Sequence, residues 1–491
     1  MSTPTGPRRI LAGPEGLGLA GAVLVSVGGL AVADVPRNHP VLARVGLDVL
    51  SYGHAKTLGG TVFWLGIAAM VIAWVRIGRQ LAADAGPAVA TLRRTVIAWA
   101  VPLTLTVPLF SRDVYAYLGQ GAVWVAGFNP YADGPAHHPG PALDSMAQVW
   151  ASTTAPYGPA FMALIRGVSE ICGDHVLTGV LMIRLVCWPG LVLSLWAIPR
   201  LAGHFGCSRA GGLWLVALNP MVLIHLVGGP HVELLMMGVL VSGVTLVVTG
   251  RHRSGLVVLG LAASIKVTAA VAIPFMLWIW LAHRRSRRPL TVRDVAEVLG
   301  AVVVIPVAVF AACTAATGLG LGWLTGLGFA DQIINWFTIP SALAHLITLV
   351  VAPWQSLNLW PVLAVTRTIG AVVLALVLVV LWWRHRHDER SAMTGLVGAM
   401  LAVVLLEPST LPWYYTWVLG VAVAVPLSRR VHTVVIGVSV FLLIVFQPDD
   451  SIVFYKAPEV ALALALSALA GWSYLREDPL RVRVAARRAW G

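Results

Sequence analysis

A few ionisable residues stand where this sequence otherwise avoids charge. Asp113 follows directly on an apolar run, in "SRDVYAYLGQGAVWVAGFNPYADGP" at 111–135. The i, i+4, i+7 spacing puts Asp113, Tyr117 and Gln120 on one helical face. A carboxylate held there can take the proton of a substrate hydroxyl. The plainer alternative is a helix cap with tyrosines in an aromatic belt. Lys266, one of only three lysines, lies in "SIKVT" inside a long apolar stretch. An intramembrane ammonium needs an anion beside it, and a lipid phosphate is the natural one. A structural ion pair with Glu233 or Asp113 is the other possibility. His231 and Glu233 stand in "GGPHVELL" (228–235). They read as polar substrate contacts or as ordinary turn polarity, and they are too few for a metal centre.

Three further stretches add polar and aromatic groups. "TTAPYGPAF" (153–161) places Tyr157 and Gly158 between two prolines, which force an extended approach. "FADQIINWFTIPSALAHL" (329–346) brings Asn335 and Trp336, and "EPSTLPWYYTW" (407–417) brings Trp413 and Tyr414. Aromatic faces of this kind either stack on sugars or anchor a membrane interface. Glu233 and Asp331 are the reserve bases should Asp113 not serve.

The elements that must carry these residues are transmembrane helices. Of 491 residues, 58% are hydrophobic and 11% charged, far below the roughly 25% charge of a soluble domain. Many runs reach the ~17–25 apolar residues that cross a bilayer. The formal net charge of +13 follows from basic cytoplasmic loops and not from nucleic-acid binding. Four scattered cysteines without a CxxC suggest buried thiols.

Most of the 34 Lys and Arg cluster between apolar runs, at Arg8/Arg9, Arg76–Arg94, Arg200/Arg209, Arg251/Arg253, Arg284–Arg293, Arg384–Arg390, Arg429/Arg430 and Arg476–Arg488. Placing these inside predicts spans near 14–33, 57–75, 95–110, 176–199, 211–228, 232–250, a pair within 254–283, 294–316, 361–383, 392–407, 413–428, 432–447 and 459–475. The expectation is an all-α polytopic protein of about 12–14 helices with an uncleaved first helix. Both ends lie inside, including the tail 476–491. Residues 1–491 read as one transmembrane domain whose polar loops, 111–156 and 317–360 above all, face outward. Segment 157–173 reads as an interfacial helix, because a full span would break the inside/outside parity. No GxxxxGK[ST] or strand-borne GxGxxG occurs, so a transferase of this kind needs a membrane-borne donor.

These pieces together resemble a known group. "PLFSRDVYAYLGQG", "GFNPYADGP", "TTAPYGPAF", "LNPMVLIHLVGGPHVE", "IINWFTIP" and "LPWYYTW" look like the actinobacterial polyprenol-phosphomannose-dependent α-1,6-mannopyranosyltransferases of the GT-C superfamily, over about 14–475. Within the group the A branch is the better likeness. The resemblance implies the GT-C fold and inverting transfer from a polyprenyl-phosphate-mannose donor to a lipid-linked α-1,6-mannan acceptor. It places that chemistry at the outer face of the plasma membrane, in lipomannan and lipoarabinomannan synthesis. It matches Asp113 to the base, and Tyr157 and Gly158 to the donor loop. Lys266, with Arg112 or His231, would balance the leaving phosphate. The polyprenyl tail would lie among helices in membrane lipid, and neither a metal nor a cofactor is called for. One departure is "HVE" where the group is expected to read His-Asn-Glu, because the Val232 side chain cannot hydrogen-bond a hydroxyl. The B branch, an arabinofuranosyltransferase and a lipid-sugar transporter are the alternatives. A transporter should show two related halves with paired broken helices, and only one broken hairpin is apparent.

The arginine pattern makes a direct prediction. A cysteine placed at Ala136 should react with an impermeant thiol reagent added to whole cells, and one at Ser286 should not. Labelling at Ser286 instead would overturn the orientation.

Overall fold

Backbone in a bilayer must satisfy its own hydrogen bonds, and a helix does so within a single segment. The computed structural model describes residues 13–477 apart from 37–38, 329–331, 450 and 453–455. Its principal helices begin with α1 (Pro14–Val32), α2 (Gly53–Ala82), α3 (Val89–Leu105), α4 (Asp113–Val125), α5 (Pro159–Cys172) and α6 (Val176–His204). There follow α7 (Arg209–Leu215), α8 (Pro220–Leu223), α9 (Glu233–Val248), α10 (His252–Ile265), α11 (Ile273–Arg285) and α12 (Val292–Thr317). The last are α13 (Ile339–Val351), α14 (Leu359–Arg384), α15 (Glu389–Leu406), α16 (Tyr415–Ala422), α17 (Arg429–Ile444) and α18 (Ala457–Leu475). Among the described residues there is no strand, only an isolated bridge between Phe446 and Ile452.

Among the described residues, eight helical stretches are long and apolar enough to cross a membrane: α1, α2, α6, Val267–Arg285, α12, α14, α15 and α18. The chain is an all-helical, multi-pass membrane protein. The bent pair α7–α8 makes a ninth candidate, and α9, α10 and α13 are shorter apolar helices. That makes eight or nine, fewer than the 12–14 expected; the runs expected near 95–110 and 432–447 form α3 and α17, of only 17 and 16 residues.

Several expected spans differ in form. The run 211–228 bends by 53° where α7 meets α8. Asn219 caps the new helix by accepting from the Met221 N–H, and Pro220 has no N–H to continue the old one. The segment beginning at 413 yields only the 8-residue α16. As expected, α10 breaks at Lys266, which is extended (φ −146°, ψ 123°). At 14 residues α5 is about 21 Å long, short of the ~30 Å hydrocarbon core. It buries Phe161, Ile165 and Val168 and exposes Leu164 and Ile171.

The helices form two compact units. The first comprises Met1–Arg112, Ser208–Gly229 and Pro426–Gly491. In it α1 and α2 cross closely, because Gly21 and Gly66 lack the Cβ atoms that would strike the opposing backbone at 2.7 Å. Trp74 and Trp214 stack, and each indole N–H donates to the other's carbonyl at 2.8 Å. The segment leading to Asp113 is tightly fixed here. Phe110 adopts φ +63°, which for a bulky residue costs of order 1–3 kcal/mol. Its buried ring packs on Phe63, Trp64 and His225, and its N–H donates to the Pro448 carbonyl. Asp34, fully buried, pairs with Arg112 at 3.0 Å, and its N–H donates to the Pro108 carbonyl.

The second unit comprises Asp113–Cys207 and Pro230–Val425. Here α6 crosses α9 with almost no separation. A Cβ on Gly190 would lie 2.1 Å from the Leu234 carbonyl oxygen, and one on Gly238 would lie 2.1 Å from that of Gly190. Gly158 is held as closely. Its N–H donates to the Ile265 carbonyl, and a Cβ there would meet the Ser264 oxygen at 2.2 Å. The 153–158 loop is thereby docked on the end of α10, beside Lys266.

The α6–α9 crossing can be tested. Gly238→Val should markedly lower the thermal midpoint of the detergent-purified protein, because overpacking against backbone typically costs ~1–3 kcal/mol or more. Gly167→Ala, at an α5 position with nothing within 4 Å, should be neutral. Equal midpoints for the two variants would refute the account of the crossing.

Candidate active site

The candidate site lies in the second unit and is assembled from α4, the 153–158 loop, the start of α9, the end of α10 and the 407–417 segment. Asp113 is the first residue of α4, and its side chain keeps 16% of its surface exposed. A helix N-terminus favours the ionised carboxylate. The helix stops at Val125, and Gly127 (φ +91°) turns the chain away, as the "GFNPY" stretch suggests.

His231 approaches Asp113 with Nε2 3.7 Å from Oδ2. Its buried ring stacks on Trp413 with centroids 3.8 Å apart, which fixes the imidazole plane. One turn into α4, Tyr117 packs edge-on against Tyr157 and Phe161. The Tyr117 hydroxyl donates to the Tyr157 oxygen and receives the Val232 N–H. Val232 thus contributes through its backbone what its side chain cannot. Burial pushes both phenols well above their usual range, so they stay protonated, and with the Tyr117 proton given to Tyr157 the Tyr157 hydroxyl is the donor left for a ligand. The Tyr131 hydroxyl donates to the Tyr157 carbonyl at 2.8 Å, fastening the loop that carries it.

Lys266 pairs directly with Glu233, the first residue of α9. Its ammonium sits 3.9 Å from the Tyr414 ring centroid and 5.0 Å from that of Trp417, and these two rings stack on each other. A cation between a carboxylate and two aromatic faces is well compensated in an apolar setting. The phenols of Tyr117, Tyr157 and Tyr414 lie within electrostatic range of both Asp113 and Glu233. Two carboxylates, one ammonium and a set of hydroxyls and aromatic faces therefore share one neighbourhood. That set can deprotonate an alcohol and balance an anion.

The structure thus brings together Asp113, Tyr117, Tyr157, His231, Glu233, Lys266, Trp413 and Tyr414. Gln120 lies deeper in α4, buried, with its Oε1 unpartnered among the described residues. Gly158 acts in loop docking. Asn335 is buried and braces the aromatic segment, its Nδ2 donating to the Thr410 carbonyl at 2.7 Å. Trp336 is 41% exposed and stacks on His345. Arg112 is engaged by Asp34 in the first unit. Asp331 lies outside the described residues.

Sequence reasoning passed over Glu407, Thr410 and Trp417. Glu407 had the same signature as Asp113, an acid where an apolar run ends. Thr410 Oγ1 donates to its carboxyl at 2.8 Å. Among the described residues no group of three or more His, Cys, Asp or Glu is arranged to hold a metal ion.

Comparison with known proteins gives this geometry a family. Residues 15–282 match the model of the alpha-(1->6)-mannopyranosyltransferase N-terminal domain, and residues 340–476 match that of the MptB C-terminal domain. The chain is 42% identical to alpha-(1->6)-mannopyranosyltransferase A of Mycobacterium tuberculosis, over 98% of this chain and 93% of that protein. It is 33% identical to the A enzyme of Corynebacterium glutamicum, over 88% and 92%. Against the B enzyme of the same organism identity is 29%, over 94% and 82%. No solved structure matches. With matches along nearly its whole length, the chain belongs to the alpha-(1->6)-mannopyranosyltransferase family, and the cluster around Asp113 and Lys266 is that family member's candidate active site.

Proposed function

We propose that this chain is a GT-C glycosyltransferase, one catalytic domain over its length. It transfers mannose from polyprenyl-phosphate mannose to the terminal 6-OH of a lipid-linked α-1,6-mannan. It does so at the outer face of the plasma membrane, elongating the lipomannan and lipoarabinomannan backbone. The higher identity to the A relatives than to the B relative supports the elongating role. The observation that carries the reading is the pairing of functions in one cluster: a partly exposed carboxylate at a helix start and a half-buried ammonium on an aromatic bed.

Asp113 takes the proton of the attacking 6-OH as that oxygen bonds to C1 of mannose. The C1–O bond to phosphate breaks on the opposite face, so the anomeric centre inverts. His231, held flat on Trp413, orients the carboxylate. Lys266 balances the charge that collects on the departing polyprenyl phosphate. Trp413 and Tyr414 are taken up in positioning His231 and Lys266, and the Tyr157 hydroxyl offers a neutral donor to the substrate. No nucleic acid and no soluble nucleotide-sugar enters this scheme.

Two outcomes are expected. Asp113→Asn should leave a folded, membrane-inserted protein whose transfer from polyprenyl-phosphate mannose to a short α-1,6-mannoside falls by ~10²–10⁴-fold, the usual loss when a general base is removed. Near-normal turnover would move the base to Glu233 or Asp331. Lys266→Met should raise the donor KM or lower kcat while leaving acceptor KM little changed. It also strands Glu233, and breaking such a buried pair costs about 3–5 kcal/mol. The double variant Lys266→Met/Glu233→Gln should regain stability without regaining donor affinity. Recovery of both would make Lys266 purely structural.

A further inference from the structure

Glu407 plays no part in the chemistry above, yet it sits beside it. It caps the C-terminal end of α15 and opens the segment that delivers Tyr414 and Trp417. That segment is fastened from two sides. Asn335 holds the Thr410 carbonyl, and Lys266 lies on the Tyr414 ring. The Glu407 carboxyl is half-buried and lies 2.8 Å from the Thr410 hydroxyl, which also reaches the Val404 carbonyl at 2.6 Å.

The groups facing it are Lys266 at the end of α10, Glu233 at the start of α9, and Tyr414 and Tyr415 at the start of α16. The two phenols are held protonated by burial. The charge count is therefore one ammonium against two carboxyls, and the ammonium already bonds Glu233. Two carboxylates within electrostatic range of one another and of a single cation do not both ionise freely. Burial accordingly pushes the Glu407 carboxyl up to about 7; the Thr410 bond and Lys266 oppose this, and Glu233 adds to it. A phosphodiester arriving at Lys266 brings a third negative charge into the same space.

We infer that Glu407 is a positioning residue for the donor phosphate: it carries a proton while the phosphodiester lies beside Lys266, so that the ammonium faces that anion with one neighbouring carboxylate and not two. The inference rests on the phosphomannose-donor reading. No bond to the sugar is made or broken at Glu407. The proton is taken from solvent as the donor binds and is released when the site empties. The sign follows: donor affinity is high below pH ~7 and falls as pH rises through it, because the site must then be protonated before the anion is accepted.

The test is a donor-saturation series between about pH 6 and 8.5, where one linked proton gives a slope of at most about tenfold in KM per pH unit. In the wild type, donor KM should rise through this range while acceptor KM does not follow. Glu407→Gln, fixed in the neutral state, should show a donor KM independent of pH. Calorimetry with a farnesyl phosphomannose, whose phosphodiester has no ionisation near neutrality, reads the same proton directly. In buffers of different ionisation heat at about pH 7.5, the wild type should take up a proton on binding and Glu407→Gln should not. Glu407→Asp keeps a titrating group and should keep a slope, which covers the case in which the Gln variant does not fold. A Gln variant with the wild-type slope, a wild type with no slope, or a folded Asp variant with a flat profile would overturn the role of Glu407. A wild type that transfers nothing from polyprenyl-phosphate mannose at any pH would instead overturn the donor reading.

Discussion

The pairing of Lys266 with Glu233 is the constraint around which the second unit is organised. An ammonium in an apolar bundle is tolerated only with an anion and further polarisable groups beside it. That requirement brings the end of α10 to the start of α9 and lays Tyr414 and Trp417 beneath the charge. Because Lys266 interrupts its helix, the ammonium is presented from an extended residue and not from a helix face. The same break frees the Ile265 carbonyl to accept the Gly158 N–H, so the loop carrying Tyr157 docks at that point.

Close backbone approach makes the arrangement rigid. Gly190 and Gly238 let α6 and α9 touch, which sets where Glu233 and His231 emerge. Gly158 lets a loop lie directly on the backbone of Ser264. In each case the missing Cβ is the enabling feature, and in a membrane, where helix association gains little from the hydrophobic effect, such contacts matter more than in water. The first unit contributes in another way. The left-handed Phe110, its buried ring and the Asp34–Arg112 pair fix the chain immediately before Asp113. Strain of that kind persists only where surrounding packing over-determines it.

The aromatic segment 407–417 shows how one stretch serves several ends. Trp413 orients His231, Tyr414 and Trp417 support Lys266, and Thr410 links Glu407 to Asn335 through its hydroxyl and its carbonyl. Charge balance in this small volume ties the carboxyls to one another. Adding or removing an anion changes which of them holds a proton.

The sequence by itself determined the class of protein, because hydropathy and scarcity of charge are summed over whole segments and survive any detail of packing. It located the break at Lys266 from flanking arginines, the short helix α5, and Asp113 at the end of an apolar run. It could not choose between a phosphate and Glu233 as the neighbour of Lys266, because 33 residues of chain separate the pair. It did not find the bend at Asn219–Pro220, which a hydropathy window averages away. Nor did it weigh Glu407 as it weighed Asp113, although both are acids at the ends of apolar runs. Only the tertiary structure decided which of those acids shares a cation, and which of two adjacent aromatics, Trp413 or Tyr414, meets the histidine and which the lysine. Those outcomes depend on contacts between residues distant in the chain, and helical periodicity carries no information about them.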